Sequence, residues 1–543
     1  MDHVPPGPDD PFFHDGTRPG EMPAPEPGHS IREGVPDRLA EVAAYDLVPK
    51  GLQRGSVPII GAIAIGLAAT APAYSLTGAL GYGALESGYQ LPIVFVISVI
   101  PMFFVALAYR HMTAVAPDSG TVFTWGSMSL GPSWGWLGGW GLYLSSTLAG
   151  VGAAEIVVNA TATVLSLDDP PLAVRTAIAT IFILSTTYLV SRGAQESSRT
   201  TVVLTVIQYA GILTLLALMV AAIVQGDAAS TAEPFSWNWL NPLAIDGLKA
   251  LLGGFLVALF VFWGFDASLA MSEESTGDSD QAGRTGLISM GIILVTYVGF
   301  TVVALAYTGI DESDPRSMTH AGNIEDVFRV ISTHVVGEGG AVIAALIVGI
   351  SAFSATMSTV MPTARGLLAM ASYKALPSRF ASVDEATHSP RFATWFMGLM
   401  TLAIYVGLSV TSESIVQDSV YSVGISICMY YVIAALACVR YFRHTAFSSW
   451  RNALSQVILP AIAAVILFAV MVLEAYNMTD PEYGSGGSIA GVGTVFVVGV
   501  VFTALGVPLM AAWRTREPEF FHGHTLPRQR ADWIEGEEEG PES

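Results

Sequence analysis

Ala68-Ala69-Thr70-Ala71-Pro72-Ala73-Tyr74-Ser75 interrupts the first long apolar run of this 543-residue chain, and Phe260-Val261-Phe262-Trp263-Gly264-Phe265-Asp266 interrupts the sixth. Inside hydrocarbon every backbone N–H and C=O must find a partner, so broken helix is tolerated at membrane depth only where it is packed in protein or lines a cavity. Pro72 has no N–H to donate and its ring clashes with the preceding turn. Gly264 permits backbone angles that other residues resist. Two such interruptions five spans apart point to a site for moving a solute across a bilayer.

The composition agrees with a membrane setting. Hydrophobic residues make up 52% of the chain and charged ones 13%, and mean hydropathy is +0.54, well above average soluble usage. A crossing needs roughly 20 apolar residues. Twelve such runs lie near 56–85, 91–113, 134–165, 172–191, 201–225, 247–271, 286–309, 339–371, 392–411, 414–441, 453–475 and 487–512. The predicted fold is an all-α polytopic membrane protein of twelve transmembrane helices. Spans one and six are separated by an odd number of crossings, so the two broken segments enter the membrane in opposite directions. That is an inverted 5+5 repeat with discontinuous helices 1 and 6 and two appended helices.

Net charge is −21, and the two ends supply much of it. Residues 1–50 carry ten acids against four bases, and residues 514–543 eight against four. The first segment also holds ten of the thirty prolines, which predicts a disordered N-terminal tail over 1–50. Residues 514–543 read as an acidic C-terminal tail. With both ends in the cytoplasm, fifteen of the nineteen bases outside the distal tails fall inside, and only Arg175, Lys249, Arg316 and Arg329 fall outside. The transporter domain then spans 51–513, with repeat 1 about 56–225, repeat 2 about 247–441 and the appended spans over 453–512. No basic stripe exists for phosphate, which excludes nucleic acid as a partner. The partners implied are the lipid bilayer and a small solute, and the oligomeric state is left open.

The candidate residues follow from the two breaks. Ala69 and Ala71 are small enough for a ligand or a second backbone to approach, and Thr70 and Ser75 add hydroxyls. Carbonyls freed near Gly264 suit an ammonium. Asp266 lies near the bilayer centre, where a carboxylate costs roughly 2.5 to 3.5 kcal/mol on insertion scales and usually faces a cavity or a partner. Binding an amine, carrying a proton and holding neighbouring groups are all open to it. Glu155 in span three is the next most deeply placed acid, either lining the pathway or hydrated near the outer mouth. Glu273 and Glu274 fall at the cytoplasmic end of span six, where pairing with Arg365, Arg284 or loop bases is the plainer use and a charge-pair gate the sharper one. In span eight, Ser351, Ser354, Thr356, Ser358 and Thr359 suit a cation site or, equally, bonds to their own helix. In the long outer loop, Ile324, Val327, Phe328 and Ile331 share one helical face, which predicts a helix over 323–331 that rests on the outer surface, with a substrate contact or a cap on the outer vestibule as the sharper readings.

Three further segments carry a family resemblance. The first is Pro117-Asp118-Ser119-Gly120-Thr121-Val122-Phe123-Thr124-Trp125-Gly126, followed by Leu130-Gly131-Pro132 and Gly135-Trp136-Leu137-Gly138-Gly139-Trp140. The second runs from Phe262-Trp263-Gly264-Phe265-Asp266 to Ser272-Glu273-Glu274-Ser275. The third runs from Ser351 through Thr363-Ala364-Arg365-Gly366-Leu367-Leu368-Ala369-Met370-Ala371 to Leu376-Pro377-Ser378-Arg379-Phe380 and Ser389-Pro390. In this order they resemble the amino acid, polyamine and organocation superfamily of permeases. The resemblance implies that unwound span one offers backbone N–H groups to a substrate carboxylate. It also implies that an aromatic such as Phe260, beside Trp263, gates the substrate. An acid at the place of Asp266 is common in such permeases, in varying roles. This chain has Ala69-Thr70-Ala71-Pro72 where a Gly-Ser-Gly pattern is usual, so the individual carboxylate donors are left open. The coupling lysine that some members carry in span five is absent from 201–225, where Gln208 is the strongly polar side chain mid-run.

Enzymatic readings find no support. No P-loop, no His-Glu-x-x-His and no metal-ligand cluster occur, and catalytic residues and cofactors are expected to be none, apart from H+ or Na+ as coupling ion. The reading is a secondary active transporter moving an amino acid or related amine across the cell membrane by alternating access. Ala69, Thr70, Ala71, Ser75, Phe260, Trp263, Gly264 and Asp266 would bind the substrate. Glu155, Gln208, Ser354, Ser358 and Arg365 would couple or gate. The alternatives are an amino acid sensor without net flux and a polyamine permease.

Overall fold

The structure is a computed structural model that describes residues 45–46, 50–53, 55–167, 170–276, 279–412, 414–481 and 483–529. Apolar sequence dictates helix almost throughout. In chain order the main helices are α1 (Ile59–Ala69), α2 (Pro72–Ser87), α3 (Leu91–Val115), α4 (Val122–Ser129), α5 (Pro132–Leu165), α6 (Leu172–Val190), α7 (Ala194–Gln225) and α8 (Gly247–Phe262). A 3₁₀ segment, Phe265–Met271, continues α8 after a break. Then come α9 (Ser279–Thr308), α10 (Val327–Val336), α11 (Glu338–Ser372), α12 (Arg391–Thr411) and α13 (Ile415–Phe442). Two helices with internal π-turns close the series, α14 (Trp450–Asn477) and α15 (Thr494–Arg516). The short α16 (Pro518–Phe521) follows. The chain is an all-α polytopic membrane protein.

Among the described residues, eleven stretches are long and apolar enough to cross a membrane. The expected runs 56–85 and 91–113 are joined in one of them, Ile59–Val115, which is 57 residues long. At 1.5 Å per residue that is roughly 85 Å of helix, far more than one hydrocarbon thickness. It is divided at Thr70–Ala71 and again at Gly88, whose φ is +58°.

Burial separates a centre from a rim. In the most apolar window of Ile415–Phe442, 83% of residues are buried, against 28% for Ala194–Gln225 and for Thr494–Arg516. Thus α13 is the axis of the bundle, packed on α3, α5 and α14, and α5 in turn packs on α11. The outer faces of α7 and α15 show leucine, valine and isoleucine to the surroundings, as lipid contact requires.

Sheet is confined to two short pairs. Ser488–Ile489 and Val492–Gly493 form a hairpin whose corner, Ala490 and Gly491, has φ of +53° and +81°. Tyr45–Asp46 pairs antiparallel with Arg528–Gln529, tying the two ends of the described chain together.

Three sequence expectations need correction. The surface helix starts at Val327, not at residue 323, because the Asp326 side chain accepts from the Arg329 N–H and caps it there. Its apolar face is buried at Val327, Phe328, Val330 and Ile331, as a helix resting on the body of the protein requires. The tail expected over 1–50 does not extend to Lys50, which is buried and ion-paired; residues 1–44 and 47–49 lie outside the described residues. The C-terminal tail expected from 514 is held as far as Gln529, since α15 runs to Arg516, Phe520 is buried, Thr525 bonds the Tyr373 carbonyl and Arg528–Gln529 pair with Tyr45–Asp46, while 530–543 lie outside the described residues.

Candidate substrate site between the broken helices

The first break is two residues wide. α1 ends with the Thr70 N–H bonded to the Ala68 carbonyl. Ala71 takes φ +49° and ψ +62°, a left-handed conformation that costs an L-residue roughly 1–2 kcal/mol. Pro72 then opens α2 at its first position, where its missing N–H is no loss. The proline therefore begins a half-helix and does not kink a continuous one.

The freed backbone groups are held from several sides. The Thr70 carbonyl accepts from Tyr297 Oη at 2.8 Å and from Ser75 Oγ at 2.7 Å. Thr70 Oγ1 donates to the Leu67 carbonyl at 2.8 Å. On α11, Ser351 Oγ accepts the Tyr74 N–H at 3.2 Å. The Thr70 and Ser75 hydroxyl protons are thus spent on backbone, so these oxygens are left as acceptors only.

The second break has a different construction. Trp263 leaves the helix in an extended conformation and Gly264 follows at φ +111°. A Cβ on Gly264 would stand 2.7 Å from the Ala69 carbonyl carbon and 2.8 Å from its oxygen. Only glycine lets the two breaks touch, and here they do. The flanking halves alternate accordingly: α2 lies against α8, and α1 lies against the 3₁₀ segment. Each broken helix thereby sets its first half beside the other's second half.

A cavity of about 20 Å³ lies between the breaks. Ala69, Thr70, Ala71, Tyr74 and Ser75 line it from the first, and Phe260 and Trp263 from the second. Ala149 and Ala153 of α5 and Ala355, Thr356 and Thr359 of α11 complete the wall. The Thr356 and Thr359 hydroxyls bond carbonyls of their own helix. Tyr74 and Phe260 meet edge to face, with ring centres 5.7 Å apart. Six of the eight residues expected to bind substrate therefore converge on one space.

The other two stand elsewhere. Gly264 supports the wall through Ala69. Asp266 does not line the cavity; its Oδ2 accepts from Tyr430 and its Oδ1 from Tyr431, each at 3.1 Å. Tyr430 also accepts the Trp263 indole N–H. A chain of hydrogen bonds thus joins the cavity wall to the buried carboxylate.

The coupling and gating candidates divide three ways. Glu155, 2% exposed, lines neither this cavity nor the larger one nearby. It accepts from Arg175 and from Tyr405 Oη, so the expectation that it lines a pathway or sits hydrated at a mouth is corrected: its charge is already matched. Arg365, 1% exposed, grips both carboxylate oxygens of Glu274 and donates through Nη1 to the Met361 carbonyl at 2.9 Å. Gln208, Ser354 and Ser358 are fully buried, and their side-chain polar atoms have no hydrogen-bond partner among the described residues. They sit on α7 and α11, which pack on each other and on α1.

Sequence reasoning missed the polar latch beside Arg365. Lys50 Nζ lies 2.7 Å from Asp118 Oδ2 and 2.7 Å from Glu273 Oε1. Asp118 also accepts from the Gly120 N–H, Thr124 Oγ1 and Tyr373 Oη, and Glu273 from the Ser119 N–H. Burial alone would lower the Lys50 pKa, but the carboxylates of Asp118 and Glu273 outweigh it and hold the ammonium above its ordinary value. Burial would likewise raise Asp118, yet the Lys50 charge and its hydrogen bonds keep it below the usual carboxylate range. Glu273 is raised, by burial and by the Asp118 charge. The signal lay in a single lysine closing a tail of low complexity, which composition assigned to disorder.

Comparison with known proteins now decides the family. The amino acid permease family matches this chain over residues 59–510. The chain belongs to the amino acid permease family. Among its relatives are the branched-chain amino acid permease BcaP of Bacillus subtilis (strain 168), 25% identical over 351 residues that cover 59% of this chain and 68% of the relative. The vacuolar cationic amino acid transporter 2 of Arabidopsis thaliana is 26% identical, covering 65% of this chain and 55% of that protein. An arginine/ornithine antiporter of Latilactobacillus sakei is 24% identical, covering 64% and 71%. This permease is therefore a multi-pass membrane transporter of amino acids and not an enzyme.

Proposed function

We propose that this permease is a secondary active transporter that carries a neutral, apolar amino acid by alternating access. One observation supports the reading above the others: two interrupted helices touch at Ala69 and Gly264 and enclose a cavity between their ends. The N-terminal end of α2 is the positive end of a helix dipole, suited to the carboxylate, and the C-terminal end of α8 suits the ammonium. The wall holds alanines, threonines and aromatics but no acid or base. That lining supports a neutral side chain over a cationic one or a polyamine, because Asp266 and Glu155 are both turned to other partners.

At about 20 Å³ the cavity holds little more than one water, so the walls must part for an amino acid to enter. Tyr74 and Phe260 form the lid on one side. On the other, the Lys50 and Arg365 ion pairs clasp α11, the α3–α4 loop and the segment after Met271. Opening one barrier while the other stays closed is the alternating step. The helices form two inverted repeats of five spans with two appended, and both termini face the cytoplasm, where basic residues accumulate. For coupling, the unpartnered oxygens of Gln208, Ser354 and Ser358 suit a sodium ion better than a proton, since none of them titrates.

Proteoliposomes holding the purified chain test this directly. Uptake of labelled L-leucine is expected to saturate, to exceed L-arginine uptake and to rise with a sodium gradient. Saturable binding without accumulation or exchange would instead make the chain a sensor.

A further inference from the structure

A second cavity of about 230 Å³ lies beyond the Tyr74–Phe260 lid, on the side away from the Lys50 latch. The two cavities share the same three helices. Along α5, Ala153 lines the small one and Ile156 the large one; along α11 the order is Ala355 and then Val348; along α2 it is Ser75 and then Thr77. These pairs are three, seven and two residues apart, about 3 to 10 Å of helix rise, so the larger space sits one to two turns beyond the smaller. At this size it suits a small metabolite and not a drug-sized molecule.

Its charges are unevenly matched. Arg329 is turned to Asp326, with Nε 3.7 Å from Oδ2, and donates through Nη2 to the Gly322 carbonyl at 3.0 Å. Glu325 accepts only from neutral hydroxyls, Tyr82 at 3.0 Å and Ser414 at 2.7 Å, both on Oε1. Among the described residues no base pairs with Glu325. A second observation points the same way: Thr77 is 2% exposed, lines the cavity, and its Oγ1 has no hydrogen-bond partner. Two lining residues of one cavity thus carry unmet polar groups, the Glu325 carboxylate without a base and the Thr77 hydroxyl without a partner, and both suit an arriving cation.

We propose that this cavity is a waiting site for a primary ammonium, with Glu325 as its counter-ion and Thr77 as a second acceptor, where the transported amino acid is held before the lid opens. The assignment rests on the transport reading for its biological use, although binding of an ammonium does not require it. The site selects for the amino group common to all amino acids, and the small cavity below then selects among side chains.

The test uses the full chain in detergent carrying Ala321→Cys, an exposed position on the cavity rim. Native Cys428 and Cys438 are both buried, so a methanethiosulfonate reagent reports the new thiol. n-Butylamine and L-leucine are expected to slow labelling, and hexanoate is not. E325Q keeps the oxygen that Tyr82 and Ser414 need, and is expected to raise the protecting concentration of n-butylamine about tenfold. Thr77→Val, a second variant of near-equal shape, is expected to raise it by a smaller factor. Ala355→Phe, which fills the small cavity, is expected to leave protection unchanged. No protection by n-butylamine, equal protection by hexanoate, or loss of protection in Ala355→Phe would overturn the proposal. Leucine uptake by the unmodified chain is scored separately, so failure of the waiting site and failure of transport are told apart.

Discussion

Trp263 does two jobs that belong to different parts of the molecule. Its ring closes one wall of the small cavity, and its indole N–H reaches Tyr430, whose hydroxyl donates to Asp266. Phe260 has only the first job. Phe260→Ala should therefore weaken amino acid binding by about tenfold, the apolar burial one such ring supplies. Asp266→Asn should weaken it less, because the acid touches tyrosines and not the cavity. Thermal-shift titration of the two variants against L-leucine checks the ranking, and a larger loss in Asp266→Asn would make the carboxylate a direct ligand. The sequence showed that Asp266 was deep and costly but not which way it turned, because its partners, Tyr430 and Tyr431, lie more than 160 residues downstream.

At the scale of elements, the latch joins pieces far apart in sequence. Lys50 precedes α1, Asp118 sits between α3 and α4, and Glu273 follows the 3₁₀ segment. Removing one partner of a buried pair leaves the other charge stranded, so Lys50→Met should cost about 3–5 kcal/mol of stability at neutral pH. The fall in apparent melting temperature measures it. The pH dependence follows from the shifts. Asp118 is depressed when folded, so its contribution is present above its ordinary value of 3.8 and is lost as pH falls through the folded value. Lys50 is raised, so its contribution is present below 10.5 and is lost as pH rises through its folded value. Glu273 acts with the opposite sign, its penalty growing as pH rises above 4.5. Lys50→Met should flatten the alkaline part of this profile; an unchanged profile would show that the latch contributes no stability. The half-helices themselves were legible, since Pro72 and Gly264 announce them in the chain. The latch was not, because one lysine and two loop acids leave no periodic trace.

Across the whole molecule, one face is heavily tied and the other holds the larger cavity. On the tied face, Phe520 stacks on Phe123, Thr525 Oγ1 donates to the Tyr373 carbonyl at 2.6 Å, and Lys374 pairs with Glu519. On the opposite face, the turn before α10 borders a cavity that reaches, along α2 and α5, within a helical turn of the smaller one. Hydropathy revealed the spans, because apolar length is a property of the chain alone, and the family resemblance came from the segments over 117–140, 262–275 and 351–390. Which side chains meet at the centre depends on how α5, α11 and α13 pack, and that emerged only in three dimensions. The most direct measurement is a cryo-electron microscopy map of the chain in lipid nanodiscs with saturating L-leucine. The expected map has ligand density between Thr70–Ala71 and Trp263, its carboxylate toward the start of α2. Clear leucine density elsewhere, with the two breaks packed solid against each other, would contradict a transport site between the half-helices.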